Sequence, residues 1–172
     1  MYRQLEPFLG PPGQAVELGC GVGHGVLWLL EKGWSVLAND ADPEALEIVC
    51  QRAGNPPGLR CETAPMESID LGQPNLIVAG FSLFFLDPPT FEEFFPRMLQ
   101  SLAPGGLFCG QLLGLNDEWK DRGYVLHDAA RVDRDLSGLE ILLREEVERD
   151  GETAMGTPKH WHVFHLIARR PV

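Results

Sequence analysis

Ala15-Val16-Glu17-Leu18-Gly19-Cys20-Gly21-Val22-Gly23 decides the fold of this chain. A short strand-like run enters three glycines at alternate positions, where a backbone turns sharply and something can approach it closely. A plain strand-to-helix turn needs one glycine, not three. Val26 to Lys32 then reads as a helix stopped by Gly33 as its C-cap. Trp34 to Ala38 forms a second strand ending at Asn39-Asp40. Asp42 as N-cap and Pro43 in the first turn open a helix to about Arg52. Leu59 to Thr63 is a weak third strand. Asn75 to Ala79 is the fourth, a continuous apolar run between Pro74 and Gly80 that suits a strand buried on both faces.

A helix from about Pro89 to Ala103 stops at Pro104-Gly105-Gly106, and Leu107 to Leu113 makes a fifth strand. The polar, irregular stretch Asn116 to Leu126 reads as a lid. A helix around Ala129 to Leu136 precedes a strand from Glu140 to Asp150, a turn at Asp150-Gly151-Glu152, and a last strand from Trp161 to Ala168. Strands alternating with helices give an α/β fold: a single-domain, Rossmann-like, doubly wound sheet, mostly parallel, with an antiparallel C-terminal edge hairpin. Residues 1–172 are expected to form that one domain, with 1–12 as an N-terminal segment. The ligand of such a sheet lies beyond the carboxyl ends of its central strands.

The charge balance narrows the ligand. Lys and Arg number 14 against 25 Asp and Glu, a formal net charge of −11. An acidic chain of this kind lacks the cations that neutralise phosphates, which argues against nucleic acid or an anionic membrane as partner. Arg169-Arg170 is a mere pair of basic residues. No apolar run reaches the ~18 residues of a membrane span, and Met1-Tyr2-Arg3-Gln4 does not open like a secretory signal, so the expected location is cytoplasmic. Cys20, Cys50, Cys61 and Cys109 include no C-x-x-C pair and are expected as small buried hydrophobes.

Asp40 ends the second strand twenty-one residues after Gly19, where an acid can accept hydrogen bonds from both ribose hydroxyls of a nucleoside. A dinucleotide needs G-x-G-x-x-G/A so that its pyrophosphate can press on the helix N-terminus. Counted from Gly19 the third small residue falls on His24, and counted from Gly21 on Val26, so both frames fail. A ligand without phosphates needs the close approach but not the third glycine. S-adenosyl-L-methionine is such a ligand.

From about Pro11 onward the chain resembles the class I S-adenosylmethionine-dependent methyltransferases. Glu17, Gly19, Gly21 and Gly23 meet the family's acid-x-Gly-x-Gly-x-Gly motif, Asp40 matches its ribose acid, and Leu102-Ala103-Pro104-Gly105-Gly106-Leu107 matches the turn before its fifth strand. The closing Lys159 to Arg169 stretch is similar to small bacterial methyltransferases of the tellurite-resistance type. The resemblance implies S-adenosyl-L-methionine as cofactor and a small nucleophile (thiol, metalloid or other) as methyl acceptor. It places Glu17, Gly19, Cys20, Gly21, Gly23, Asp40, Ala41, Met66, Glu67, Gly80 and Phe81 around the cofactor. The family's adenine-binding acid is missing: Glu62-Thr63-Ala64-Pro65-Met66-Glu67 puts Ala64 or Pro65 in that column, which leaves Met66 and Glu67 for the adenine.

Five further signals bear on the site. Glu17, in an otherwise apolar strand, is expected to accept from the ligand's amino group through water or from loop amides. His160 and His162 share one strand face and His165 takes the other, so the three cannot converge on one metal, and cross-strand packing on an edge strand accounts for them. Asp87-Pro88-Pro89-Thr90 looks like an amine-methylating motif but arrives too late after the fourth strand, and reads as a helix start. Phe81 and Phe84 are candidates for the border of an acceptor pocket. His24 and Asp117 fall in loops near the strand ends without the setting of a catalytic base, and a binding protein without turnover or, less favoured, a nicotinamide oxidoreductase are the competing readings.

Overall fold

A computed structural model describes residues 1–172. The chain runs α1 (Tyr2–Leu5), β1 (Gln14–Leu18), α2 (His24–Glu31), β2 (Ser35–Asp40), α3 (Pro43–Ala53), β3 (Leu59–Thr63), β4 (Leu76–Ala79), α4 (Pro88–Ser101), β5 (Leu107–Gly114), β6 (Leu126–His127), α5 (Ala129–Asp135), β7 (Glu140–Glu152) and β8 (Pro158–Arg169), with short 3-10 turns between. The strands form one sheet in the order β3-β2-β1-β4-β5-β8-β7, with β6 added beside the end of β5. Strands β1 to β5 are parallel, whereas β8 enters antiparallel between β5 and β7. The expected doubly wound sheet is therefore present, and its order reverses between β1 and β4.

Alternation along the strands sorts the core into two layers. Ala15, Val36, Ala38, Leu76 and Val78 face α2 and α3 through Val26, Leu29, Leu46 and Val49. Val16, Leu18, Ile77, Ala79 and Phe108 face α4 and α5 through Phe91, Phe95, Met98 and Val132. Strand β4 is buried along its whole length, as its unbroken apolar run requires.

The caps follow the sequence. The Asp42 side chain accepts from Glu44 N at 2.9 Å with Pro43 starting α3, and Gly33 takes φ +83° just beyond α2. Asp87 accepts from Thr90 N at 3.1 Å at the head of α4, so Asp87-Pro88-Pro89-Thr90 is a helix cap.

Several expectations need correction. The turn is not at Asp150-Gly151-Glu152. Those residues pair with His160, Lys159 and Pro158, and the chain reverses over residues 153–157, closed by Thr153 N donating to Thr157 O at 2.8 Å. The hairpin is thus longer than the sequence suggests, and its edge strand is β7; β8, with the three histidines, is interior. Residues 116–126 do not hang free as a lid. Asp117 is fully buried and pins this stretch, accepting from Trp119 N at 2.9 Å, from His162 N at 3.0 Å and from the Lys159 ammonium. Cys20 and Cys109 are buried as expected, but Cys50 and Cys61 are half-buried, with Sγ atoms 3.1 Å apart between α3 and β3.

Candidate active site

The glycine loop lies where β1 ends, beside the β4 exit at the reversal of strand order. Gly19, Gly21 and Gly23 all have positive φ (+64°, +51° and +79°), which only glycine adopts without strain. Their surroundings differ. A Cβ on Gly19 would lie 2.5 Å from Ser82 Cβ, and one on Gly23 2.7 Å from Val49 Cγ2, so these two admit close packing of the protein itself. A Cβ on Gly21 would meet no atom within 4 Å beyond its own chain neighbours. That open space is the cradle a ligand would fill.

The loop is tied to the sequence-predicted acid. Asp40 Oδ2 accepts from Gly21 N at 2.8 Å, and Oδ1 accepts from Asp42 N at 3.0 Å across Ala41. Each carboxylate oxygen keeps acceptor capacity for a further donor. Asn39 is buried beside it and donates to Glu62 O at 3.1 Å and Ala64 O at 2.8 Å, which fixes β2 to the end of β3. Met66 follows, its Cε 3.8 Å from the Cβ position of Gly19, and Glu67 shares its 3-10 turn and binds Arg97 through its carbonyl oxygen. Asp40 and Met66 thus lie against the loop, with Ala41 and Glu67 next to them in the chain.

Glu17 is buried, but the loop amides do not serve it, contrary to one expectation; the Gly21 amide goes to Asp40 instead. Its Oε1 accepts from the Tyr2 hydroxyl at 2.9 Å, and its Oε2 is buried without a partner. Burial pushes the Glu17 carboxyl up to about 7, while the Tyr2 hydrogen bond pulls it down by less. Gly25 makes room for this pair, since a Cβ there would overlap both the Tyr2 hydroxyl and the Glu17 carboxylate. Tyr2 is a site residue that sequence reasoning missed, because its partner lies fifteen positions away and neither residue type signals the pairing.

On the other side of the loop opens a cavity of about 650 Å³. Gly19, Cys20 and Gly21 form its floor, and Gly80 and Phe81 its β4 wall. Phe84, as expected, and also Phe85, Trp119 and Trp161 make it aromatic. Phe81 is held at φ +55°, an unusual conformation for a residue with a side chain, and its N–H donates to Gln111 Oε1 at 3.0 Å. His165 reaches this wall as well. His160 instead binds Asp150 at 2.8 Å, and His162 binds Glu146 at 2.9 Å. Gln111 and His165 were also missed. The one available signal was the alternation Trp161, Val163, His165, which sets the three on one strand face.

Comparison with known proteins agrees with this geometry. Residues 15–106, more than half of the chain, match the family described as methyltransferase domain. The chain belongs to the S-adenosylmethionine-dependent methyltransferases. S-adenosyl-L-methionine is the cofactor of this family, and the open space beside Gly21, the spare acceptors of Asp40 and the unpartnered Glu17 oxygen fit it. Carboxy-S-adenosyl-L-methionine synthase of Yersinia pestis is 30% identical over 111 residues, 59% of this chain and 40% of that one. The chain therefore spans well under half the length of the curated relatives it matches. Among solved structures, the N-methyltransferase NodS of Bradyrhizobium japonicum, in complex with S-adenosyl-L-homocysteine, superposes with a TM-score of 0.75 at 20% identity, covering 98% of this chain and 82% of that one. TehB of Haemophilus influenzae gives 0.79 at 15% identity, covering 99% and 62%. At these identities the structures show a shared fold. No helix of this methyltransferase-family chain is long and apolar enough to cross a membrane.

Proposed function

We propose that the chain is an enzyme that transfers the methyl group of S-adenosyl-L-methionine to a small-molecule acceptor, working in the cytoplasm and not on nucleic acid. The observation that carries this reading is the open cradle at Gly21, bounded by Asp40 on one side and an aromatic cavity on the other. When bound, the cofactor would supply an electrophilic sulfonium methyl group, open to in-line attack by an acceptor with the C–S electron pair leaving on sulfur. The chain supplies placement and a dry setting. Asp40 is the acceptor for the ribose hydroxyls, and Ala41 and Asp42 hold its carboxylate by the turn they make. Gly19, Cys20, Gly21 and Gly23 give the methionyl part a backbone surface. Glu17, through its free oxygen, receives the amino group, and a cation arriving there favours its ionised form. Met66 and Glu67 border the adenine. Gly80 and Phe81 lie where methyl and acceptor meet, with the aromatic walls excluding water. No side chain need take a proton before transfer when the acceptor is already a good nucleophile.

The curated relatives bear the name of a synthase that makes a carboxylated form of the same cofactor. The product separates the two chemistries. Incubated with methyl-labelled S-adenosyl-L-methionine and a panel of thiols, amines, phenols and metalloid oxyanions, the protein is expected to yield S-adenosylhomocysteine and a labelled acceptor. Mass spectrometry that finds the label still on sulfur, with the cofactor heavier or unchanged, would contradict methyl transfer.

A further inference from the structure

Gln111, on β5, is fully buried and lies opposite His165 in the β5–β8 register. Its side-chain amide is oriented from one end. Oε1 accepts from the Phe81 backbone N–H at 3.0 Å, so Nε2 faces the other way, 3.3 Å from His165 Nδ1. An amide nitrogen only donates, so Nδ1 accepts, and a neutral imidazole must carry its proton on Nε2. Burial lowers the pKa of His165, which keeps the ring neutral near pH 7. Nδ1 is taken by Gln111, whereas Nε2 is accessible and makes no hydrogen bond within the chain. The ring lies on the cavity wall, its centroid 6.2 Å from that of Phe81.

Charged side chains lie beside the aromatic rings. The Lys159 ammonium lies 3.9 Å from the Trp161 ring centroid and 4.6 Å from that of Trp119, and it is paired with the buried Asp117. Trp119 and Trp161 thus each carry a buried protein cation, and Arg149 and Glu152 add charge to the cavity lining. The cavity itself is mostly apolar and aromatic, with His165 one of a few polar side chains on its lining beside His24, Arg149, Glu152 and Thr153.

We propose that His165, locked as its Nε2–H tautomer by the Phe81–Gln111 relay, is a specificity-determining donor of the acceptor cavity, and that the acceptor is a flat aromatic molecule carrying a hydrogen-bond-accepting atom. This rests on the methyltransferase reading of the cavity. The chain Phe81 N–H to Gln111 to His165 couples the strained Phe81 backbone to the donor, so a single buried amide fixes both walls of the cavity.

Two measurements test it. Long-range proton–nitrogen NMR of the histidine-labelled protein is expected to show neutral His165 protonated on Nε2, and Gln111→Leu to release it into a tautomer mixture; a proton on Nδ1 in the wild type overturns the proposal. Binding of quinoline and of naphthalene then compares the same shape with and without an acceptor atom. Quinoline is expected to bind about 5-fold tighter to the wild type, the worth of one neutral hydrogen bond. His165→Phe should remove that preference and leave naphthalene binding unchanged. Equal affinity in the wild type, or no binding of either probe, overturns the proposal. Both arms are run with and without S-adenosylhomocysteine. Failure of that compound to bind would count against the methyltransferase reading alone, since the tautomer and the quinoline preference are read without it.

Discussion

At the scale of single residues, the glycine loop separates two demands that a motif merges. Gly19 and Gly21 share a left-handed backbone, so alanine at either is expected to cost about 1–2 kcal/mol in strain. Gly19→Ala adds a collision with Ser82 Cβ at 2.5 Å, whereas Gly21→Ala points into free space. Gly19→Ala should therefore lower the melting temperature clearly more than Gly21→Ala, while Gly21→Ala loses S-adenosylhomocysteine affinity out of proportion to its stability. Thermal scans with calorimetric titration check both halves; equal melting losses would contradict the packing difference. The loop and Asp40 were legible in the sequence because their signal is local. Tyr2, Gln111 and His165 were not, because each acts through a partner fifteen to fifty-four positions away.

At the scale of elements, Asp117 joins β8 to the stretch after β5. It takes the Lys159 ammonium and two backbone N–H groups, with side-chain exposures of 1% for Lys159 and 0% for Asp117. Removing one member of a buried pair strands the other at a cost of about 3–5 kcal/mol. Asp117→Ala should be the worse single change, since it also orphans the Trp119 and His162 amides, and at this chain length the melting temperature should fall by on the order of 10 °C. Lys159→Met leaves the carboxylate its two N–H donors. The double variant should lose less than the sum of the two singles, and strict additivity of the three melting curves would contradict the pairing. This pair explains why the expected lid is anchored: a run of polar residues reads as a loop, and nothing local says that its aspartate is buried against a lysine 42 positions on. Strand β6 escaped for a simpler reason, as two residues carry no period. The β7–β8 hairpin was seen but closed too early, because Asp150-Gly151-Glu152 has turn chemistry and only cross-strand pairing shows that it is still strand.

At the scale of the molecule, two buried titratable groups set opposing pH responses. Burial raises the Glu17 carboxyl to about 7, with the Tyr2 hydroxyl and the Cys20 and Cys109 thiols around it. Its folded pKa exceeds its unfolded one, so its stabilisation is complete below about pH 4.5 and is lost as pH rises to about 7. His127 is the reverse. Burial and Arg131 push it down to about 4, against Glu92 and Asp128, so its contribution is present above about pH 6.5 and is lost as pH falls to about 4. Between roughly pH 4.5 and 6.5 the two slopes oppose each other. Glu17→Gln should therefore make stability climb with pH by up to about 1.4 kcal/mol per unit, and His127→Leu should make it fall. Urea midpoints across that range check this; variants whose slopes shift in the same direction would contradict it.

We propose that the cofactor lies along the glycine loop with its ribose on Asp40. Calorimetric titration of S-adenosylhomocysteine into the wild type and into Asp40→Ala, each confirmed folded by its melting curve, tests it most directly. A charge-assisted hydrogen bond is worth about 1.5–3 kcal/mol, so the expected result is a Kd raised roughly 10- to 150-fold in the variant. An unchanged Kd in a folded Asp40→Ala protein would contradict it.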